Sequence, residues 1–326
     1  MLRSWFSTYS VWLLLASAIG FAQPGRIAYE RAPDGKPVWP ARDVYRMNAD
    51  GSGDTALTTD GHSHTPSWSP DGKQILFVHD AALREPRQGP PSTHHPVELQ
   101  VMDADGKNRR LLLRTEAPIY SARWSPDGKA IAVSAALQQR SESGEEMRGG
   151  LYLIPASGGT PKLLYANGWS AAWSPDGKRL AFTVERPRGE WSIYVGNADG
   201  SDAVPMQDLP RYAGLPAWSP DGEWLAFASD RQVFVSRPDG TERREVAPPS
   251  GWSCQRIAWS GEGDGLVLGC YSSSKPCGFL GNVSSTGTVL PDCERRLFGI
   301  ATVAGVREVR QLGEHDATAP AVSLRE

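Results

Sequence analysis

The sequence predicts an all-β chain folded as a six-bladed β-propeller of four-stranded antiparallel blades, and two interleaved repeats carry this prediction. The first repeat is a Trp-Ser-Pro-Asp-Gly unit on a short apolar strand, which recurs roughly every 40 to 55 residues, the period of one blade. Its tryptophans are Trp68, Trp124, Trp173, Trp218 and Trp259. The second repeat is an alternating apolar segment closed by an Asp-Gly or Gly-Gly turn, as in Val44–Gly53 and Leu99–Asn108.

The chemistry of the Ser-Pro-Asp-Gly turn explains the acidic residues that recur with the tryptophans. Proline presets the second position of a type I turn, Asp suits the third, and Gly accepts the positive φ that follows. We therefore assign the repeated carboxylates to turns and not to catalysis. They are Asp71, Asp127, Asp176 and Asp221.

The two ends of the chain are predicted to share one blade. The first unit opens on Arg26–Arg31 and lacks an innermost strand, whereas Ala319–Ser323 is similar to Thr65–Ser69 with Val322 in place of Trp. We expect this C-terminal strand to complete the first blade and close the ring.

The N-terminus has the pattern of a secretory signal peptide. A positive residue, Arg3, precedes the apolar run Val11–Phe21, which ends in small residues before Gln23. The sequence predicts a signal peptide over residues 1–22 and a propeller domain over residues 23–326, located in the periplasm or secreted. No membrane span is predicted in the mature chain, and an uncleaved N-terminal anchor stays open as the alternative.

Charge and cysteine content limit which partners and which cellular compartment are expected. The formal net charge of −3 gives no indication of a nucleic-acid partner. Four cysteines lie in one C-terminal stretch, which in an exported chain favours disulfides over a zinc site that would need close Cys-x-x-Cys pairs. Three pairings of the four cysteines are possible, and of these we predict Cys254–Cys270 with Cys277–Cys293.

The tandem Trp-Ser-Pro-Asp-Gly-Lys units with interleaved Ala-Asp-Gly turns resemble the TolB-like (WD40-like) six-bladed β-propeller repeat family. The resemblance covers about residues 25 to 326. It implies a periplasmic propeller that binds partner proteins of the envelope. Related propellers also occur as non-catalytic domains of prolyl-oligopeptidase-type peptidases and as metal-dependent pectin-fragment lyases.

Candidate binding residues lie outside the repeat, on the face that carries the loops of variable length. Each blade places the connection into its inner strand and the loop between its second and third strands on that face, where recognition residues usually lie. One such loop is predicted from Ala135 to Gly149. The candidate ligand-binding residues are His64, Tyr120, Trp169, Tyr212, Trp252, His315, Trp39 and Trp191.

A metal site is the weaker interpretation of the same face. His62 and His64 precede the inner strand of the second blade, and His315 precedes that of the first, so a site with two or three His ligands is physically possible. No carboxylate spacing reinforces it, and no cofactor is predicted.

Together these observations predict an exported, non-catalytic propeller that binds a protein or an envelope glycan or peptide. Two alternatives stay open: a metal-dependent polysaccharide lyase or hydrolase that acts at the His-bearing channel mouth, and a scaffold subunit for a separate enzyme.

Overall fold

The computed structural model describes twelve segments of the chain. They are residues 26–31, 42–48, 52–80, 96–116, 118–141, 144–186, 189–230, 232–246, 250–259, 265–272, 295–301 and 308–311. No helix in these segments is long and apolar enough to cross a membrane. The predicted signal peptide, Trp39, Cys277, Cys293, His315 and the predicted closing strand lie outside them.

The described segments form six antiparallel sheets, each a meander in which consecutive strands pair. Sheet 1 contains β1 (Arg26–Arg31), β2 (Asp43–Asn48) and β3 (Thr55–Ala56). Sheet 2 contains β4 (Ser63–Trp68), β5 (Gln74–Asp80), β6 (Val97–Asp103) and β7 (Arg110–Thr115). Sheet 3 contains β8 (Ile119–Trp124), β9 (Ala130–Ser141), β10 (Gly144–Pro155) and β11 (Lys162–Ala166).

The remaining sheets repeat the same four-stranded order. Sheet 4 contains β12 (Gly168–Trp173), β13 (Arg179–Glu185), β14 (Trp191–Asn197) and β15 (Val204–Pro205). Sheet 5 contains β16 (Gly214–Trp218), β17 (Leu225–Ser229), β18 (Gln232–Ser236) and β19 (Arg244–Val246). Sheet 6 contains β20 (Trp252–Trp259), β21 (Gly265–Ser272), β22 (Arg295–Ala301) and β23 (Glu308–Gln311).

One predicted loop is wrong. The stretch from Ala135 to Gly149 continues the second and third strands of sheet 3, because Ala135 pairs with Gly150 and the ladder runs on to Ser141 and Gly144. The variable length of the chain between the second and third strands predicts a loop there, but backbone hydrogen bonds do not depend on apolar side chains, so the paired strands continue into this polar stretch.

In sheets 4 to 6 the tryptophans of the inner strands join neighbouring sheets. The indole N–H of Trp173 donates to the carbonyl of Arg123 (3.3 Å), that of Trp218 to Ala172 (3.1 Å), and that of Trp259 to Ala217 (3.0 Å). Each acceptor is the residue before the tryptophan of the preceding sheet. The repeat therefore supplies both a buried ring and a fixed acceptor, which aligns one sheet on the next.

The turns that follow the tryptophans are held by their own Ser and Asp side chains. In sheet 4 the Ser174 hydroxyl donates to Asp176 (2.6 Å), whose carboxylate also accepts the backbone N–H of Lys178 (3.1 Å). The backbone N–H of Arg179 donates in turn to the Ser174 oxygen (2.9 Å). The same arrangement occurs at Asp71, Asp127 and Asp221. The turn assignment is thus explained by local hydrogen bonds.

These turn carboxylates predict a small dependence of stability on pH. Hydrogen bonds from Ser174 and Lys178 hold the pKa of Asp176 below its ordinary value of 3.8. A lowered folded-state pKa stabilises the protein above the unfolded pKa, and this contribution disappears as pH falls through the folded pKa. We expect Asp176→Asn to lower Tm at pH 7 by only about 2 °C, because the side chain is exposed and solvent screens its charge.

Melting curves of the wild type and Asp176→Asn from pH 7 to pH 2 test this expectation. The difference in Tm should vanish in acid, and Glu185→Gln, which removes an exposed carboxylate elsewhere in sheet 4, serves as the matched control. A difference that stays constant down to pH 2 would show that the Asp176 charge is not what stabilises the turn.

Candidate functional site

We define the variable face as the edge of the sheets where the inner strands begin. Several inner strands have a bulge close to this face. Thr65, Ser170 and Leu215 each adopt a positive φ, between 51° and 59°, and the ladder shifts register at each of them. Their N–H groups donate to side chains of the preceding sheet: Glu30 Oε2 (3.0 Å), Ser134 Oγ (2.9 Å) and Thr183 Oγ1 (3.1 Å). A bulge re-aims the residues beside it, and these hydrogen bonds fix the new direction.

An aromatic row lies on the variable face between sheets 4 and 5. Trp169 meets Trp191 edge-to-face with ring centroids 4.8 Å apart, and Trp191 meets Tyr212 in the same manner at 6.1 Å. Trp169 is buried, whereas Trp191 and Tyr212 are partly exposed. Each such pair contributes roughly 0.5–1.5 kcal/mol beyond area burial, so the row is a rigid surface. The structure thus brings together three of the candidate residues.

A pocket of about 230 Å³ opens beside the row, and we call it the Trp191 pocket. Its lining residues are Arg186, Glu190, Trp191, Ser192, Met206, Asp208, Leu209, Pro210 and Arg211. The lining is mixed: Trp191, Leu209 and the buried Met206 contribute apolar surface, while the exposed Arg211 lies 3.7 Å from the Glu190 carboxylate at the rim. The loop between β13 and β14 and the connection into β16 form this pocket together.

The histidines of sheet 2 each lie beside hydrogen-bonding or acidic groups. His64 Nδ1 is 2.8 Å from the Thr65 hydroxyl and its Nε2 is 3.5 Å from Asp80. His79 Nδ1 is 3.3 Å from the Ser63 hydroxyl and 3.8 Å from Asp60. These contacts connect the start of β4 to the end of β5.

The predicted metal site is only partly covered by the structure. Among the described segments, no group of three His, Cys, Asp or Glu side chains is placed to hold a metal ion. The His62 Nδ1 atom is buried and has no hydrogen-bond partner in the same segments. His315, the third predicted ligand, lies outside them, so the metal interpretation stays a prediction.

The other candidate residues are separate from the aromatic row. Tyr120 is partly exposed in β8, and burial of its hydroxyl raises its pKa. Trp252 begins β20 and packs against the core of sheets 5 and 6. Cys254 and Cys270, directly opposite in β20 and β21, form a disulfide.

Two features of this face escaped the sequence analysis. Glu30 is buried, forms an ion pair with Arg42, and accepts the Thr65 N–H, so it ties sheet 1 to the bulge of sheet 2. Met206 and Asp208 complete the Trp191 pocket from a connection of ordinary composition. Glu30 lies two residues after the buried Ala28 and therefore on the same face of β1, and only this alternation could have indicated its burial.

The successive four-stranded meanders, joined through their inner strands, define a β-propeller. A sequence profile described as the TolB beta propeller domain matches residues 86–276, and the chain belongs to this family.

Individual relatives agree with this membership. The Tol-Pal system protein TolB of Bordetella pertussis is 57% identical over 35 residues, which are 11% of this chain and 8% of that protein. The match therefore spans less than a tenth of the relative's length.

The structure of a putative TolB from Agrobacterium tumefaciens has a TM-score of 0.58 at 22% identity, covering 81% of this chain and 86% of that one. An oligogalacturonate lyase from Vibrio parahaemolyticus has a TM-score of 0.58 at 15% identity, covering 92% and 78%. Both structural likenesses show the fold alone.

Proposed function

We propose that this protein is an exported, non-catalytic binding module that holds a protein or an envelope glycan or peptide on its variable face. The observation that carries the proposal is the aromatic row of Trp169, Trp191 and Tyr212 beside a pocket. Binding energy at interfaces concentrates in a few rigid aromatic and Arg side chains in well-packed pockets, which matches this arrangement. The Tol-Pal system named for the Bordetella pertussis relative supports a protein as the partner.

Export is supported by two independent features. Residues 1–22 have the order of a signal peptide, with the apolar run Val11–Phe21 at their centre, and the Cys254–Cys270 disulfide is of a kind that persists in oxidising compartments. Both favour the periplasm or secretion.

A closed six-bladed ring is the second part of the proposal. The inner strands contact one another in succession from β4 to β20, and within the described segments sheet 1 has three strands where the others have four. The indole N–H groups of Trp68 and Trp124 have no acceptor in these segments, whereas those of the tryptophans in sheets 4 to 6 donate to the preceding inner strand. A C-terminal strand at Ala319–Ser323 would supply the missing strand and place Ala321 at the position of the acceptor for Trp68.

The binding proposal is tested by affinity capture from envelope extract with Trp191→Ala and Trp224→Ala as a matched pair. Trp224 is also partly exposed, but it follows the Ser-Pro-Asp-Gly turn on the opposite face, where Arg237 stacks on its ring at 4.1 Å. We expect Trp191→Ala to lose a partner that the wild type retains, with affinity falling at least about 30-fold for an aromatic hot spot. Trp224→Ala should retain that partner.

Equal recovery by both variants would remove the aromatic row from the binding site. The metal-dependent alternative has its own measurement, because a lyase or hydrolase of that kind needs bound metal. Stoichiometric metal in protein purified without chelators, lost on substitution of His62, His64 or His315, would favour catalysis over binding.

A further inference from the structure

The size of the Trp191 pocket restricts what it can hold. Its volume of about 230 Å³ lies below the roughly 300–1,000 Å³ of pockets that enclose a small-molecule ligand. A space of this size accommodates one side chain of a larger partner, which is how anchor residues of protein interfaces are held.

The apolar side chains in the mixed lining of the pocket favour an aromatic occupant. Trp191 forms one wall, and Leu209 and the buried Met206 supply apolar surface. Edge-to-face contact with tryptophan and contact with a thioether sulfur both stabilise a bound aromatic ring. Trp191 is already held edge-to-face by Trp169 and Tyr212, so an incoming ring meets a wall that does not need to be ordered first.

The rim favours a peptide over an acidic saccharide. Arg186 and Arg211 offer only donors, whereas the carboxylates of Glu190 and Asp208 offer only acceptors. A peptide backbone presents both N–H and C=O groups and can use both kinds. A polyuronide carries a carboxylate on every sugar unit, and Glu190 and Asp208 would repel these charges.

We propose that the Trp191 pocket takes one aromatic side chain from a segment of a protein partner, with the peptide backbone of that segment lying along the charged rim. This inference rests on the proposed binding function and narrows the choice of partner left open there.

Methionine methyl resonances provide a direct readout, because the chain has only five methionines. Met206 lines the pocket, while Met102 is fully buried in the core of sheets 1 and 2 and serves as an internal reference. Protein labelled with ¹³C-methyl methionine is titrated with N-acetyl-L-phenylalaninamide, and with N-acetylglycinamide and digalacturonate as comparison probes. We expect a saturable shift of the Met206 methyl with Kd on the order of 1 mM for the phenylalanine amide only, and no shift of Met102.

A pair of Leu→Trp variants separates the pocket from the rest of the face. Leu209→Trp fills the pocket from its wall and should weaken binding of the phenylalanine amide at least tenfold. Leu111→Trp adds the same ring at a half-exposed position of β7 and should leave binding unchanged. If Leu209→Trp does not fold, the titration of the wild type with the three probes alone decides whether the pocket takes an aromatic side chain.

The inference is overturned if the Met206 methyl does not shift with the phenylalanine amide, or if it responds equally to the glycine amide or to digalacturonate. The proposed function fails separately, through equal partner capture by wild type and Trp191→Ala. A partner lost by Trp191→Ala and retained by a folded Leu209→Trp would keep the binding function and refute the pocket as its anchor site.

Discussion

Replacing Trp218 by Ala is expected to lower the free energy of unfolding by about 3–5 kcal/mol, the usual cost of removing a buried aromatic side chain. Trp218 is 3% exposed, and its indole N–H donates to the Ala172 carbonyl of the preceding sheet (3.1 Å). The Arg179 guanidinium stacks on the same ring, 4.5 Å from its centroid. The substitution therefore leaves a cavity and an unpaired carbonyl between two sheets. Urea unfolding followed by circular dichroism measures the loss.

Two further variants separate the parts of this effect. Trp218→Phe retains most of the ring but lacks the N–H, and we expect it to cost about 1–3 kcal/mol because a buried carbonyl loses its donor. Trp224→Ala removes a partly exposed tryptophan that directly precedes β17 and should lower the free energy of unfolding by less than about 2 kcal/mol. A loss below 1.5 kcal/mol for Trp218→Ala, taken as roughly half the expected minimum, would mean that the repeated tryptophans do not hold adjacent sheets together.

Removing residues 319–326 is expected to lower the free energy of unfolding by at least as much as Trp218→Ala. If Ala319–Ser323 is the inner strand of sheet 1, its removal exposes the edge of β1 and leaves the Trp68 N–H permanently unpaired. We expect a loss of more than about 4 kcal/mol, or roughly 10 °C in Tm. Thermal unfolding of the full chain and the shortened chain measures it.

Trp68→Phe provides the control for ring closure. In the full chain this change should cost as much as Trp218→Phe, because both remove a donated hydrogen bond. In the shortened chain it should cost clearly less than in the full chain, because an unpaired N–H has no bond to lose and only the loss of ring volume remains. Unchanged Tm after removal of residues 319–326 would refute closure by this strand.

The repeat made the architecture predictable because each of its residues has a local reason to be there. The inner tryptophans, the turn Asp residues and the three-strand start at Arg26–Arg31 all lie where the pattern indicated. The wrong loop at Ala135–Gly149 shows the limit of this reasoning, since strand pairing in a polar hairpin leaves no apolar alternation to detect.

The candidate site was less accessible to sequence reasoning because it depends on contacts between sheets. Trp169, Trp191 and Tyr212 were chosen singly, but their edge-to-face contacts depend on the bulges at Ser170 and Leu215. Amino-acid composition does not indicate which non-glycine residue adopts a positive φ. It also does not indicate that the Leu215 N–H donates to Thr183 of the preceding sheet. Residues such as Met206 acquire a role only once sheets 4 and 5 are side by side.

Amide hydrogen exchange, measured on the protein alone and in complex with its captured partner, tests most directly whether the variable face is the binding surface. We predict slower exchange in the complex over residues 168–170, 190–192 and 208–215, which carry the aromatic row and its pocket. The Ser-Pro-Asp-Gly turns at residues 174–178 and 219–223, on the opposite face, should exchange at the same rate in both states. Protection of these turns, with no change around Trp191, would contradict the account.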